Sequence, residues 1–322
     1  MSMSIDSSSD AIGQHEMVDP FGRPVRSLRL SVTQKCDLAC DHCHHEGQTV
    51  SKEEMTPAEI ERLVGVAVSL GVRKVKITGG EPLMRDDLTE IVRKVSSLVN
   101  EVSLTTNGSD LDRRAMQLRR AGLVRVNVSL HTLRPERYQR LCGSDGLGRV
   151  LKGIDAAVRS GLNPVKVNMV VFNGENEDEI EQMIEFCSKA NATLQLIEYE
   201  TNREDSNGHG FTRRFYSLED IEKNLSSRSV DVSLNELHRR RRYLIPTKDS
   251  SVTVEVVRPM HNSEFCSYCT RIRMSSNGLL KPCLLDRSGH VDVLGPLRSG
   301  ASDRELHKLF MTAVGHRRPY WS

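Results

Sequence analysis

The sequence predicts an α/β fold: a partial (β/α)6 barrel over residues 23–200, a smaller α+β extension over 201–322, and a flexible arm over 1–22. Three observations predict it. Short runs rich in β-branched residues alternate with stretches of helical period, glycines stand where helices should stop, and the alternation ends near residue 200.

Taken in order, Leu28–Val32, Val72–Ile77, Val102–Thr105, Val124–Leu130, Val165–Val171 and Leu194–Ile197 read as strands. Between the first two, Pro57 to Leu70 is a helix with proline near its start. Its apolar positions are Ile60, Leu63, Val64, Ala67 and Val68, and Gly71 stands just past its end. Gly122 and Gly161 close two later helices in the same way. Repeated β-then-α order implies parallel strands joined by right-handed crossovers. Beyond residue 200, Val230–Leu234, Tyr243–Ile245 and Val252–Val257 are β-like, and the basic run Arg239–Arg242 reads as a solvated strand or loop. The first 22 residues lack any hydrophobic period.

A chain of 322 residues suits one large unit with an appendage. Its 45 Lys and Arg against 43 Asp and Glu give a net +2, too balanced to imply a nucleic-acid or membrane partner, so any anion site must be local. No run approaches the roughly 20 apolar residues of a membrane span, and the Ser/Asp-rich start lacks a signal peptide's apolar core; the chain reads as cytoplasmic. Eight cysteines in such a chain argue for metal or catalytic use rather than disulfides. Six fall in two triplets, and Cys142 and Cys187 read as packed residues.

The first triplet, Cys36-x3-Cys40-x2-Cys43, directly follows the first strand, so three thiolates are offered on one loop at the carboxyl edge of the sheet. Three ligands on a [4Fe–4S] cube leave one iron open to a small molecule. A zinc site is the alternative, with His42, His44 or His45 as fourth ligand. The second triplet, Cys266, Cys269 and Cys283, repeats this logic with Arg271 and Arg273 between its halves; here a zinc ribbon would need His261 or His290. A non-catalytic zinc or electron-transfer protein would leave the strand ends unexplained. These are Thr78-Gly-Gly-Glu-Pro82, Thr105-Thr-Asn-Gly108 and Ser129-Leu-His131, all at one level above the predicted barrel. Strands of a parallel sheet should be apolar on both faces, yet Arg29/Ser31, Lys76/Thr78, Asn127/Ser129 and Lys166/Asn168 put polar residues on single faces at period two. Either carboxylates such as Glu198 compensate the buried cations, or the interior is a cavity for a polyanion.

Arg29-Leu-Ser-Val-Thr-Gln-Lys-Cys36 with Cys40 and Cys43 resembles the radical S-adenosylmethionine superfamily. There the open iron chelates S-adenosylmethionine, and an electron from the cluster yields a 5′-deoxyadenosyl radical. More narrowly, the chain from Phe21 to about Leu285 resembles the molybdenum cofactor biosynthesis protein A, or GTP 3′,8-cyclase, family. The motifs are Phe21-Gly-Arg-Pro24, Leu28-Arg-Leu-Ser-Val-Thr33, Ile77-Thr-Gly-Gly-Glu-Pro-Leu-Met84, Leu104-Thr-Thr-Asn-Gly108, Val126-Asn-Val-Ser-Leu130, Val165-Lys-Val-Asn168 and Cys266-x2-Cys-Thr-Arg-x-Arg273.

The resemblance implies conversion of GTP to 3′,8-cyclo-7,8-dihydro-GTP, two [4Fe–4S] clusters, S-adenosylmethionine contacts from His42, Gly80 and Ser129, and GTP contacts from Arg29, Lys76, Thr105, Lys166 and Arg271 through Ile272 to Arg273. The base would meet the second cluster. An external electron donor and a homodimer are also implied. Two features depart from the family: Glu200 stands where bacterial relatives carry Met, and the ending Arg317-Arg-Pro-Tyr-Trp-Ser322 lacks their Gly-Gly, which suggests an archaeal branch. The rival is another radical S-adenosylmethionine enzyme with an auxiliary cluster; peptide-modifying relatives usually carry more auxiliary cysteines and have less reason to line a barrel with Lys and Arg.

Overall fold

A computed structural model describes residues 16–48, 51–235 and 237–320. The six predicted βα units form, with boundaries shifted by a residue or two. They are β1 (Ser27–Ser31), α1 (Pro57–Ser69), β2 (Lys74–Thr78), α2 (Leu88–Ser96), β3 (Glu101–Thr106), α3 (Leu111–Arg120), β4 (Arg125–Ser129), α4 (Pro135–Cys142), α5 (Leu147–Arg159), β5 (Val165–Val171), α6 (Ile180–Lys189) and β6 (Thr193–Glu198). Local chemistry explains the edges. Thr56 and Glu59 cap α1 reciprocally, the Thr56 hydroxyl accepting from the Glu59 N–H and the Glu59 carboxylate from the Thr56 N–H at 2.7 Å. Gly71 follows at φ 106, a conformation that side chains resist. Leu28, Leu30, Ile77, Leu104 and Val126 are fully buried beneath the helices, so the apolar strand face makes the core.

The chain continues with α7 (His209–Arg214), α8 (Glu219–Arg228), β7 (Asp231–Asn235), β8 (Arg240–Pro246), β9 (Ser251–Val257), α9 (Ser263–Ser267), β10 (Arg271–Met274), β11 (Leu279–Lys281), β12 (Val291–Asp292), α10 (Leu294–Arg298) and α11 (Asp303–Gly315). Here the structure shows how the expected C-terminal extension attaches. Its strands extend the same sheet at both edges, in the order β12-β11-β10-β1-β2-β3-β4-β5-β6-β9-β8-β7. β9 pairs parallel with β6, and β10 parallel with β1. The reason lies in composition: β9 is buried over Val254–Val257, which suits an inner parallel strand, whereas β7, β8, β11 and β12 add antiparallel hairpins. No helix among the described residues is long and apolar enough to cross a membrane.

The expected arm is corrected where it can be seen. Met17 is fully buried, its N–H bonds to the carbonyl of Leu70, and Val18 bridges to Pro24. Residues 1–15 lie outside the described residues.

Candidate active site

The loop that carries Cys36, Cys40 and Cys43 is fastened to the ends of β2 and β3. The N–H groups of Gly80 and Glu81 donate to the carbonyls of Thr33 and Lys35 at 2.8 and 2.7 Å. A Cβ on Gly80 would stand 2.3 Å from the Lys35 oxygen, so only glycine lets the loop lie this close. Asp37 accepts from Asn107 Nδ2 and from the Ser109 hydroxyl, each at 2.7 Å. The Glu81 carboxylate receives the Thr106 hydroxyl and the N–H groups of Asn107 and Leu83, yet burial pushes it up to about 7. Cys36 and Cys43 are exposed. Partial burial raises the Cys36 thiol to about 11 and raises Cys43; a hydrogen bond with Cys142 raises Cys40.

His42 points from this loop into a fixed chain. The N–H of Val170 donates to His131 Nδ1 at 3.1 Å, so the proton of that buried ring, held far below its ordinary value by burial, sits on Nε2. His131 Nε2 then donates to His42 Nε2 at 3.2 Å, and His42 Nδ1 donates to Asp41 at 3.1 Å.

The second triplet is spread over separate elements, Cys266 on α9, Cys269 just after it and Cys283 after β11. Two arginines hold its main chain. Arg23 Nη1 donates to the Cys266 carbonyl at 2.8 Å, and Arg317 Nη2 to the Cys269 carbonyl at 2.5 Å. The fully buried Asp19 pairs with both, at 2.7 and 3.1 Å. Burial alone would raise the Cys269 thiol, but Arg271 and Arg317 outweigh it and hold the thiol below its ordinary value. Among the described residues no three His, Cys, Asp or Glu side chains are arranged to hold a single metal ion. A cubane takes each cysteine on a different iron, and three thiols without a fourth are the donor set that such a cluster with one open iron would use.

A cavity of about 260 Å³ runs from the first cysteine loop to the second triplet, far more than the roughly 10–15 Å³ that one water needs. His42 and His44 line one end and Cys266, Cys269 and Cys283 the other. Sheet register builds the wall between them. Arg273, Arg29 and Lys76 are consecutive partners across β10, β1 and β2, and Thr105 and Asn127 partner across β3 and β4. Glu46 pairs with both Arg29 and Arg273 at 2.8 Å. Lys76 donates to Asn127 at 2.9 Å, and burial, then Arg125, pull its ammonium well below the ordinary lysine range. The Arg271 guanidinium pairs with no carboxylate among the described residues, although the residue's main chain bonds the Cys269 thiol, and burial with Arg273 and Arg29 lowers the guanidinium to about 9. Cations so crowded favour a bound anion.

The structure sorts the predicted residues. Arg29, His42, Lys76, Thr105, Arg271, Arg273 and the second cysteines line the cavity. Gly80, just past β2, lies against the first cysteine loop and Ser129 ends β4; both are outside that lining. The Ile272 side chain is fully buried in the core on the opposite face, because residues alternate along β10, and only its main chain is left to a ligand. Lys166 lies against the buried Glu255. That carboxylate, not Glu198, compensates it; Glu198 instead accepts from Leu218 N–H and Arg258. The basic run is corrected too, since Arg240 faces inward, 2.9 Å from Glu255, and lines the cavity. Sequence reasoning also missed Arg23 and Arg317, and His238. Residues 238 and 239 are consecutive and left-handed at φ 63 and 48, a strain of about 1–2 kcal/mol each, and they turn the buried His238 ring into the cavity.

Two family patterns match the chain: the radical SAM superfamily over residues 30–187 and Molybdenum Cofactor Synthesis C over 192–322. A "Probable GTP 3′,8-cyclase" from Pyrococcus abyssi is 49% identical over 306 residues, 95% of this chain and 100% of its own. One of the same description from Thermococcus kodakarensis is 50% identical over 95% of this chain and 99% of its own. Among solved structures, Streptococcus suis SuiB bound to precursor peptide SuiA superposes with a TM-score of 0.64 at 16% identity, covering 94% of this chain and 67% of that one. The latter likeness is one of fold.

Proposed function

The chain belongs to the GTP 3′,8-cyclase family of radical S-adenosylmethionine enzymes, and from that membership we propose that GTP enters the cavity between the two cysteine triplets. The enzyme converts GTP to 3′,8-cyclo-7,8-dihydro-GTP in the first step of molybdenum cofactor biosynthesis, using a [4Fe–4S] cluster and S-adenosylmethionine. Cys36, Cys40 and Cys43 would hold that cluster, and Cys266, Cys269 and Cys283 a second. When bound, the first cluster and S-adenosylmethionine supply the radical that takes hydrogen from the 3′ carbon of the ribose, with an electron from an external donor.

The observation that carries this reading is the cavity that runs from His42 and His44 of the first cysteine loop to Cys266, Cys269 and Cys283, walled by cations. Arg271, Arg273, Arg29, Lys76 and the newly found Arg240 grip the triphosphate, with Thr105 beside them. Lys166 acts from behind the lining, tied to Glu255. His42, Gly80 and Ser129 meet S-adenosylmethionine; the relay from Val170 through His131 fixes the His42 ring before any ligand arrives. Anchoring the nucleotide at two ends holds the ribose toward the first triplet. The assembly is proposed as a homodimer, as the resemblance suggests.

Anaerobic incubation of cluster-loaded protein with GTP deuterated at the ribose 3′ position, S-adenosylmethionine and dithionite tests it. Deuterium should appear in 5′-deoxyadenosine and the cyclic product should form. Deuterium transferred only from another labelled position would overturn the reading.

A further inference from the structure

We infer that Nε2 of His238 is the acceptor that recognises the 2-amino group of the guanine base. This rests on GTP being the occupant of the cavity. His238 is 7% exposed, lines the cavity and stacks on Phe265 with ring centroids 3.8 Å apart and planes 7° from parallel. Its Nδ1 lies 2.8 Å from the carbonyl of Phe265, and a carbonyl can only accept. The ring proton is therefore on Nδ1, and the lone pair of Nε2 is free. That nitrogen is buried and has no hydrogen-bond partner among the described residues.

A buried acceptor without a donor is costly, so the site is complete only with a ligand that donates. The wall is rich in donors: Arg271, Arg240 and Arg273 line the cavity and their charges bear on the ring. Phosphates accept and have nothing to give Nε2. Ribose hydroxyls can turn to accept from the arginines. Guanine has two groups on one edge that only donate, N1–H and the 2-amine; the exocyclic amine projects furthest, and inosine, which keeps N1–H, tells the two apart. Among these donors the amine needs His238 most. Glu200 also lines the cavity, but it is half-buried and under the charge of Arg29.

The left-handed backbone supports a positioned ring. Two consecutive non-glycine residues at positive φ are kept where the surroundings demand them. They turn His238 inward, and its N–H bonds to the carbonyl of Tyr268, tying it to the second cysteine loop.

Equilibrium dialysis of anaerobic cluster-loaded protein against GTP and against inosine triphosphate, which lacks only the amine, tests the assignment without turnover. Wild type should hold GTP at least tenfold more tightly. His238→Asn keeps a donor for the Phe265 carbonyl and suits positive φ but has no group at Nε2. It should bring GTP to the inosine triphosphate level and leave the latter's Kd unchanged. His238→Phe, which keeps the stacking, should do the same and carries the test if the Asn variant loses iron. Equal binding of the two nucleotides by wild type overturns the assignment. So does an undiminished preference in the variants, an equal loss for both nucleotides, or a preference that disappears with Glu200→Ala instead. Wild type that binds no GTP at all would overturn the family reading rather than this choice of residue.

Discussion

The two cysteine triplets solve one ligand problem in opposite ways. The first runs from residue 36 to 43 on one loop, with two of its three thiols exposed and all three raised. It is held by strand-end neighbours: Glu81, Asn107 and Ser109. The second runs from 266 to 283 across separate elements, buried among arginines, and is held by residues near both ends of the chain, Asp19 and Arg23 at one and Arg317 at the other. A loop triplet needs local backbone geometry; a dispersed one needs the whole chain in place. The contrast suits the proposed roles, one presenting an open iron to a small cofactor and the other forming the end wall of a substrate cavity.

The largest effect should separate the triplets outright. Cys40→Ala should abolish 5′-deoxyadenosine formation while retaining about half the iron, as measured by chromatography and iron analysis. Cys269→Ala should likewise keep half, and loss of all iron there would break the picture of independent sites. Next, Arg317→Met leaves Asp19 with one partner fewer and the Cys269 carbonyl without its donor. We expect about 3 kcal/mol of lost stability in anaerobic denaturant unfolding, with iron leaving the second triplet first. Equal loss from both triplets would contradict the division drawn here.

A third test sharpens the cationic end. Arg271→Ala should weaken GTP binding roughly ten- to hundredfold, the equivalent of about 1.5–3 kcal/mol for a charge-assisted contact, with both iron sets intact. Lys166→Ala should do less, because Glu255 already engages that ammonium; dialysis that ranks the two the other way would put Lys166 in direct contact. Smallest, Gly80→Ala forces the cysteine loop away from Lys35 at a cost of about 1–3 kcal/mol. Iron should leave the first triplet faster on dilution into chelator, and the second should be unaffected.

Most of the barrel and both triplets were legible because their signals are local: β-branched runs, glycines past helix ends, and cysteines at short spacing. β10 was not, since Arg271–Met274 is four residues with two arginines, and only its pairing with β1 makes it a strand. Arg240 was hidden within a basic run, where the facing of each residue depends on strand register with Glu255. Glu46 and Glu255 were not assigned as neutralisers because nothing in their neighbourhoods announces partners such as Arg273, 227 positions from Glu46, or Lys166, 89 positions from Glu255. His238 carries no sequence signal at all; its significance comes from a left-handed backbone and an unanswered nitrogen.

The pairing of β10 with β1 bears on how the enzyme comes into being. While the chain is being synthesised, the outer edge of its first strand stays bare until residues 271–274 have left the ribosome, and a bare edge is a template for wrong partners. Contacts separated by more than 240 positions also form late, because a long loop must close first. The first cysteine loop can be fastened by β2 and β3 long before the cavity has its far wall. A nascent chain therefore completes the first cysteine loop while the second triplet does not yet exist, and the two places are built in the order of translation.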